Sequence, residues 1–303
     1  MTIAGLGQCS LDYLAVVDSY PAIDTKKEVI EWHEQGGGPV ATALVTLARL
    51  GLSCRFSGVI GDDPAGEKIR QSLVREGIDL KGVVQRRKRA SQIAFIVIEE
   101  GTGKRTIFWR RPEGSPLSEE EIRYDFLREA DFLLIDGLMK EASIAAAEKA
   151  RSLHIPVMLD AGRMRPGMLE VAQLSDYVVA SEEFAKDLDL ACSAEALQRE
   201  RHRLGVRVLT VTLGERGSIT VTDGLSLELP AFPVRIVDTT GAGDVFHGGF
   251  IYGLLQKWHL HETVTFASAV AAMKCSAIGG RTGIPDLEEV RQFLQERGSD
   301  IPI

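Results

Sequence analysis

Apolar and polar positions follow two rhythms along this chain. Short apolar runs, closed by glycine, aspartate or threonine, recur at 2–7, 131–136, 157–160, 177–180 and 206–212. Runs of that length predict buried strands. Between them apolar residues return every three or four positions. Ala43, Leu44, Leu47 and Ala48 line one such face, in a helix that starts near Pro39 and ends at Leu50-Gly51. A second, Ala-rich helix is predicted over 140–153, and Ser118 and Glu121 have capping-box spacing. Strands alternating with helices predict an α/β fold with a mainly parallel central sheet covered on both faces. Ligands of such folds collect at the carboxyl ends of the strands.

Two stretches break the rhythm. Residues 26–34 and 92–98 read as additional strands, and 93–98 with 105–109 reads as a hairpin whose turn holds Gly101 and Gly103. The pattern predicts one domain over 1–303, with the strands of a small β-sheet lid inserted at about 12–35 and 90–112. Past residue 244 the chain reads as helix, with a small-residue helix over 266–275, a Gly-rich loop over 279–285 and a final helix.

Composition sharpens this little. The 303 residues are 45% hydrophobic and 26% charged, as in an ordinary globular protein. A net charge of −8 argues against a nucleic-acid or membrane surface. No run of about 18 apolar residues predicts a membrane span, and the opening Met-Thr-Ile-Ala-Gly-Leu-Gly reads as a strand, not a signal peptide. Cys9, Cys54, Cys192 and Cys275 are scattered without metal or redox spacing, which predicts reduced thiols in a cytoplasmic protein. His259 and His261 read as solvated.

Two nucleotide motifs are approached and missed. Gly5-x-Gly7 has Ser10 where a third glycine belongs, and the residues after it look extended, so no helix N-terminus meets the turn. Gly61 and Gly66 have P-loop spacing, but Glu67 replaces the lysine and Lys68 comes one place late.

The chemistry concentrates at 237–250, Val-Asp-Thr-Thr-Gly-Ala-Gly-Asp-Val-Phe-His-Gly-Gly-Phe. Gly241 and Gly243 let the backbone turn and approach a ligand. The helix that follows offers unpaired N–H groups and a partial positive charge, a ready site for phosphate. Asp244 sits at its edge. A carboxylate beside an anion hole serves badly as a phosphate ligand and well as a base.

This run closely resembles the second signature of the ribokinase-like (PfkB) sugar kinases. Gly36-Gly37-Gly38-Pro39-Val40-Ala41-Thr42-Ala43, continuing to Gly66, resembles the family's first signature. The resemblance covers nearly the whole chain and implies a three-layer α/β/α ribokinase-like fold. It implies an ATP-dependent kinase acting on a primary hydroxyl of a sugar or sugar derivative, with Asp244 as base and Gly241, Ala242 and Gly243 as anion hole. Asp12, Gly37, Gly38 and Thr42 would hold the acceptor, with Thr42 standing where many members have Asn. Arg110 and Arg111 would offer an anion site from the lid hairpin. Thr212, Gly214, Gly217 and Thr239 would bind the nucleotide. Relatives carry Asn-x-x-Glu where Ser181 and Phe184 stand, so Glu182 is the carboxylate left for Mg2+. Asp238 and Thr240 lie where some members hold a monovalent cation such as K+, helped by the loop over 277–283. The tail and His247 look especially like sulfofructose kinases, although Trp109 and Leu138 occupy the places where those enzymes grip the sulfonate. The alternatives are a phosphorylated or sulfonated ketose or a nucleoside as acceptor, or a non-catalytic ligand-binding or regulatory protein. The open edges of the lid predict a homodimer formed through it.

Overall fold

The computed structural model describes every residue except Asp300. The chain enters with β1 (Thr2–Leu6) and leaves the main sheet at once for β2 (Ser10–Val17) and β3 (Glu31–Gly37). Helix α1 (Pro39–Arg49) brings it back to β4 (Ser53–Gly61), α2 (Pro64–Arg75) and β5 (Asp79–Arg86). A second excursion makes β6 (Ile93–Glu99) and β7 (Arg105–Arg110). The alternation then runs through β8 (Phe132–Ile135), α3 (Lys140–Ser152), β9 (Val157–Ala161), α4 (Met168–Leu174), β10 (Tyr177–Ser181), α5 (Glu182–Asp187), α6 (Ala194–Leu204) and β11 (Val208–Thr212). A hairpin, β12 (Ser218–Thr222) and β13 (Leu225–Leu229), precedes α7 (Ala242–Leu255), α8 (Leu260–Lys274) and α9 (Leu287–Gln295).

The main sheet has the order β13-β12-β11-β10-β9-β8-β1-β4-β5. All its pairs are parallel except those made by β12 and β13. That antiparallel edge was not foreseen, because the apolar runs at 218–229 are short and half exposed. Strand order reverses between β1 and β8, which opens a crevice at their carboxyl ends. Two cores cover the sheet. One joins α1, α7, α8 and α9 to Ile3, Phe56 and Phe132; the other joins α3, α4, α5 and α6 to Leu6, Leu133 and Ile135. The three-layer expectation holds.

Beta strands 3-2-6-7 form the separate lid sheet. The strand expected over 26–34 is displaced: β3 begins at Glu31. Residues alternate between faces along a strand. Leu14, Val16, Ala94, Ile96 and Ile98 point inward and meet Ile278 of the late loop. Tyr13, Trp32, Phe95 and Phe108 share the outer face, with Tyr13 stacked on Trp32 and on Phe95 at 6.0 and 5.3 Å. The lid is therefore a small sheet with an apolar strip along β2 and β6 on its underside and an aromatic back.

Helix α7 is packed closely through glycines. A Cβ at Gly249 would come within 2.8 Å of the Ala267 Cα on α8, and one at Gly248 within 2.7 Å of the Thr46 side chain on α1. The middle of α7 is thus held by two helices.

Candidate active site

The 241–244 turn begins α7 at the edge of the cleft. Gly241 has φ +75°, and a Cβ on it would lie 2.9 Å from the Gly280 backbone of the late loop. Only glycine meets both demands. Over Gly243 the space is open: a Cβ there would meet no atom within 4 Å. The turn therefore has room for a ligand at Gly243, with the helix dipole behind it, while the Ala242 N–H donates to the Thr239 carbonyl at 3.3 Å.

Asp244 stands half-buried on this turn. Its carboxyl is pushed up to about 7, first by burial, then by the negative charge of Asp160 at the end of β9. His247, one turn along α7, opposes that shift. The His247 ring is buried with an oxygen at each nitrogen. Nδ1 lies 2.6 Å from the Gly243 carbonyl and Nε2 3.2 Å from the Val179 carbonyl, with Asp160 Oδ1 at 3.5 Å. This ring ties the first turn of α7 to strands β9 and β10. Asp160 was read only as a strand end. Its position at a carboxyl end in the crevice was the available signal.

Asp12 opens the lid strand β2 and is 6% exposed. Ser10 Oγ donates to its Oδ1 at 2.6 Å, and burial raises its pKa. Gly37 lies directly against it: a Cβ there would sit 2.0 Å from Asp12 Oδ2. Gly38 caps α1 with φ +93°. The acceptor group expected from the sequence is thus gathered, except for Thr42. Thr42 is buried in α1, and its hydroxyl accepts from Arg281 Nε at 3.4 Å. Arg281 also donates to the Gly37 carbonyl at 2.9 Å and to Ser72 Oγ at 3.3 Å. Burial pulls its pKa down to about 10, against the pull of Asp12. Gln35 of β3 accepts from the Arg281 N–H at 2.8 Å and donates to Thr282 Oγ1 at 3.0 Å. Arg281 had no sequence signal, since its partners lie some 200 residues or more away.

The remaining expected residues separate. Thr239 lies beneath the lid hairpin, where Arg105 Nη1 donates to its hydroxyl at 2.6 Å. Thr212 ends β11, and Gly214 and Gly217 shape the turn after it, both with positive φ. Glu182 is drawn to Arg216 at 2.6 Å and Lys186 at 2.9 Å, which hold its pKa low. Ser181 caps α5 by accepting from Phe184 N, and Phe184 is a core residue, so the Asn-x-x-Glu pattern has given way to a helix cap. Arg110 pairs with Ile93 on the outer face of the lid, away from the cleft. Its neighbour Trp109 points inward, with the Arg111 and Arg165 guanidinium carbons 5.3 and 5.8 Å from its ring centre. Arg111 also lines a cavity of about 80 Å³ with Gly7, Gln8, Cys9 and Leu138. At the crevice between β1 and β8, Asp136 accepts from Gln8 N at 2.6 Å and Leu138 N at 3.0 Å, and burial pushes its pKa up to about 7. No cluster of three or more metal-ligating side chains exists among the described residues.

Residues 2–287 match the family described as pfkB family carbohydrate kinase. The ribokinase of Haemophilus influenzae is 26% identical over 97% of this chain and 98% of its own. The ATP-dependent ribose-1-phosphate kinase of Halopiger xanaduensis is 27% identical over 97% of this chain and 98% of its own. A putative ribokinase from Agrobacterium tumefaciens has a crystal structure that superposes with a TM-score of 0.88, at 25% identity over 99% of both chains.

The electrostatics give a titration to measure. In a ¹³C-NMR titration the Asp244 carboxyl should have its midpoint near 7. Asp160→Asn removes a like charge, so the midpoint should fall by about one pH unit. A midpoint of about 4, the ordinary carboxylate value, in both proteins would contradict this account.

Proposed function

The chain belongs to the pfkB family of carbohydrate kinases, and on that premise we propose that it transfers the γ-phosphoryl group of ATP to a primary hydroxyl of a sugar or sugar derivative. The observation that carries the reading is Asp244. It stands on the first turn of α7, beside Gly241 and Gly243, with its basicity raised toward neutrality. A base works best when its pKa lies near the working pH. Asp244 takes the proton of the acceptor hydroxyl. The N–H groups of Gly241 and Gly243 receive the charge of the transferring phosphoryl group, and that of Ala242, which donates to the Thr239 carbonyl at 3.3 Å, joins them by giving up that bond.

Asp12 and the backbone at Gly37 and Gly38 hold the acceptor hydroxyls. Thr42 acts behind them through Arg281. Thr212, Gly214, Gly217 and Thr239 border the nucleotide. Mg2+ enters with ATP as part of the substrate; Glu182, the carboxylate expected to meet it, pairs with Arg216 and Lys186. The lid, docked on Thr239 through Arg105, keeps water from the phosphoryl group. ATP as donor and four free cysteines support a cytoplasmic setting.

A second reading of the acceptor has its own support. Arg111 and Arg165 converge on Trp109, and neither joins an ion pair among the described residues. An acceptor with a distal anionic group, such as a sugar phosphate, would satisfy them.

The lid supports a homodimer. Trp32 is 58% exposed, Phe108 61% and Phe95 47%, on one face of a sheet with two open edges, β3 and β7. Exposed aromatic patches mark interfaces. Sedimentation equilibrium should give a dimer for the native chain and a monomer for Trp32→Asp/Phe108→Asp; a native monomer at micromolar concentration removes the proposal.

Asp244→Asn tests the base. It should lower kcat by about 10²- to 10⁴-fold while calorimetry shows ATP binding unchanged. Turnover within a few-fold of native would assign the base elsewhere.

A further inference from the structure

Lys274 closes α8 and is one of the largest fully buried side chains. A lysine is almost never fully buried without a charged partner, yet Lys274 belongs to no ion pair among the described residues. Its Nζ donates to the main-chain carbonyl of Asp238 at 2.7 Å. Burial lowers its pKa, and the Asp238 carboxylate is the strongest influence holding it up. The ammonium therefore sits in a dry pocket whose nearest compensating charge is Asp238, itself 0% exposed.

That pocket is the hinge of the 241–244 turn. Asp238 Oδ1 accepts from Thr240 N at 2.8 Å, and Oδ2 accepts from Gly279 N at 2.7 Å. The Cys275 carbonyl accepts from Val237 N at 2.8 Å and Asp238 N at 3.2 Å. The late loop reaches the turn again where Gly280 abuts Gly241. So the end of α8, the late loop and the turn meet at Asp238, with one buried positive charge among them.

The resemblance drawn from the sequence implied a monovalent cation at Asp238 and Thr240. The residues present do not fit one. Both carboxylate oxygens of Asp238 already accept backbone N–H groups, and a cation already stands at its carbonyl. Thr240 Oγ1 is buried without a partner. Thr240 Oγ1 is thus the side-chain oxygen left over at this site, and a second positive charge in this pocket would repel the first.

We propose that the ammonium of Lys274 is itself the cation of the Asp238 site, so that the 241–244 turn is set without potassium. Lys274 is a positioning residue. It holds the Asp238 carbonyl and offsets the Asp238 carboxylate, and so fixes the backbone that leads into the anion hole. The inference builds on the reading of that turn as the phosphoryl site, but its first readout is independent of turnover.

The test compares potassium chloride with tetramethylammonium chloride at equal ionic strength. The native melting temperature and kcat should be the same in both salts. Lys274→Ala leaves room for an ion. It should melt lower in tetramethylammonium than in potassium, and its kcat should fall about tenfold or more without potassium and recover with it. Lys274→Arg, which keeps a tethered cation, should remain indifferent to the salt. Potassium activation of the native enzyme by about tenfold or more, or a potassium-raised native melting temperature, overturns the proposal. So does Lys274→Ala with native kcat in tetramethylammonium. If Lys274→Ala does not fold, the native salt comparison decides. If no acceptor is ever turned over, the kinase reading fails, while the melting comparison still decides the role of Lys274.

Discussion

The structure depends on one constraint: the first turn of α7 must stay open to the cleft at Gly243, while the Ala242 N–H turns back onto the Thr239 carbonyl at 3.3 Å. Unpaired backbone donors in a folded chain are costly, so the surroundings must fix the turn without filling it. Gly280 presses on Gly241 from the late loop, and His247 holds the Gly243 carbonyl from within the helix. Thr239 is held by the lid through Arg105. Gly248 and Gly249 lock the helix onto α1 and α8. Each contact approaches from the side or from below, and the space over Gly243 stays free.

The same turn explains the carboxylate beside it. Asp244 shares the crevice with Asp160 and Asp12, and burial among like charges favours the protonated form. A lone carboxylate at a helix N-terminus would be stabilised as the anion and would be a poor base. The neighbouring acids and the limited access to water outweigh the dipole. The lid acts in both directions: Asp12 on its first strand adds to the upward shift, and Arg105 on its last opposes it.

What could be read from the sequence was local. The 237–250 run, the glycines before α1 and the βα rhythm are specified by neighbours in the chain, and the fold follows them closely. The lid was legible because its strands interrupt that rhythm and its hairpin turn carries Gly101 and Gly103. What could not be read was convergence. Arg281 meets Gly37, Thr42 and Ser72 from the far end of the chain, and Lys274 meets Asp238 across 36 residues. Residue type alone did not show where others point. Thr42 faces Arg281 because α1 buries it, Glu182 is captured by Arg216 and Lys186, and the strand parity of β7 sends Arg110 outward while Trp109 turns in. The hairpin of β12 and β13 escaped notice for lack of a strong apolar run.

The account's central claim is that the protein moves a phosphoryl group from ATP to a carbohydrate hydroxyl. The direct measurement is ³¹P NMR of the protein with ATP and Mg2+ against a panel of free sugars, sugar phosphates, sulfosugars and nucleosides. The account predicts ADP together with a new phosphomonoester resonance for one class of acceptor, and intact ATP without it. Unchanged ATP across the panel, with ATP and an acceptor both shown to bind, would contradict it and leave a ligand-binding protein on a kinase fold.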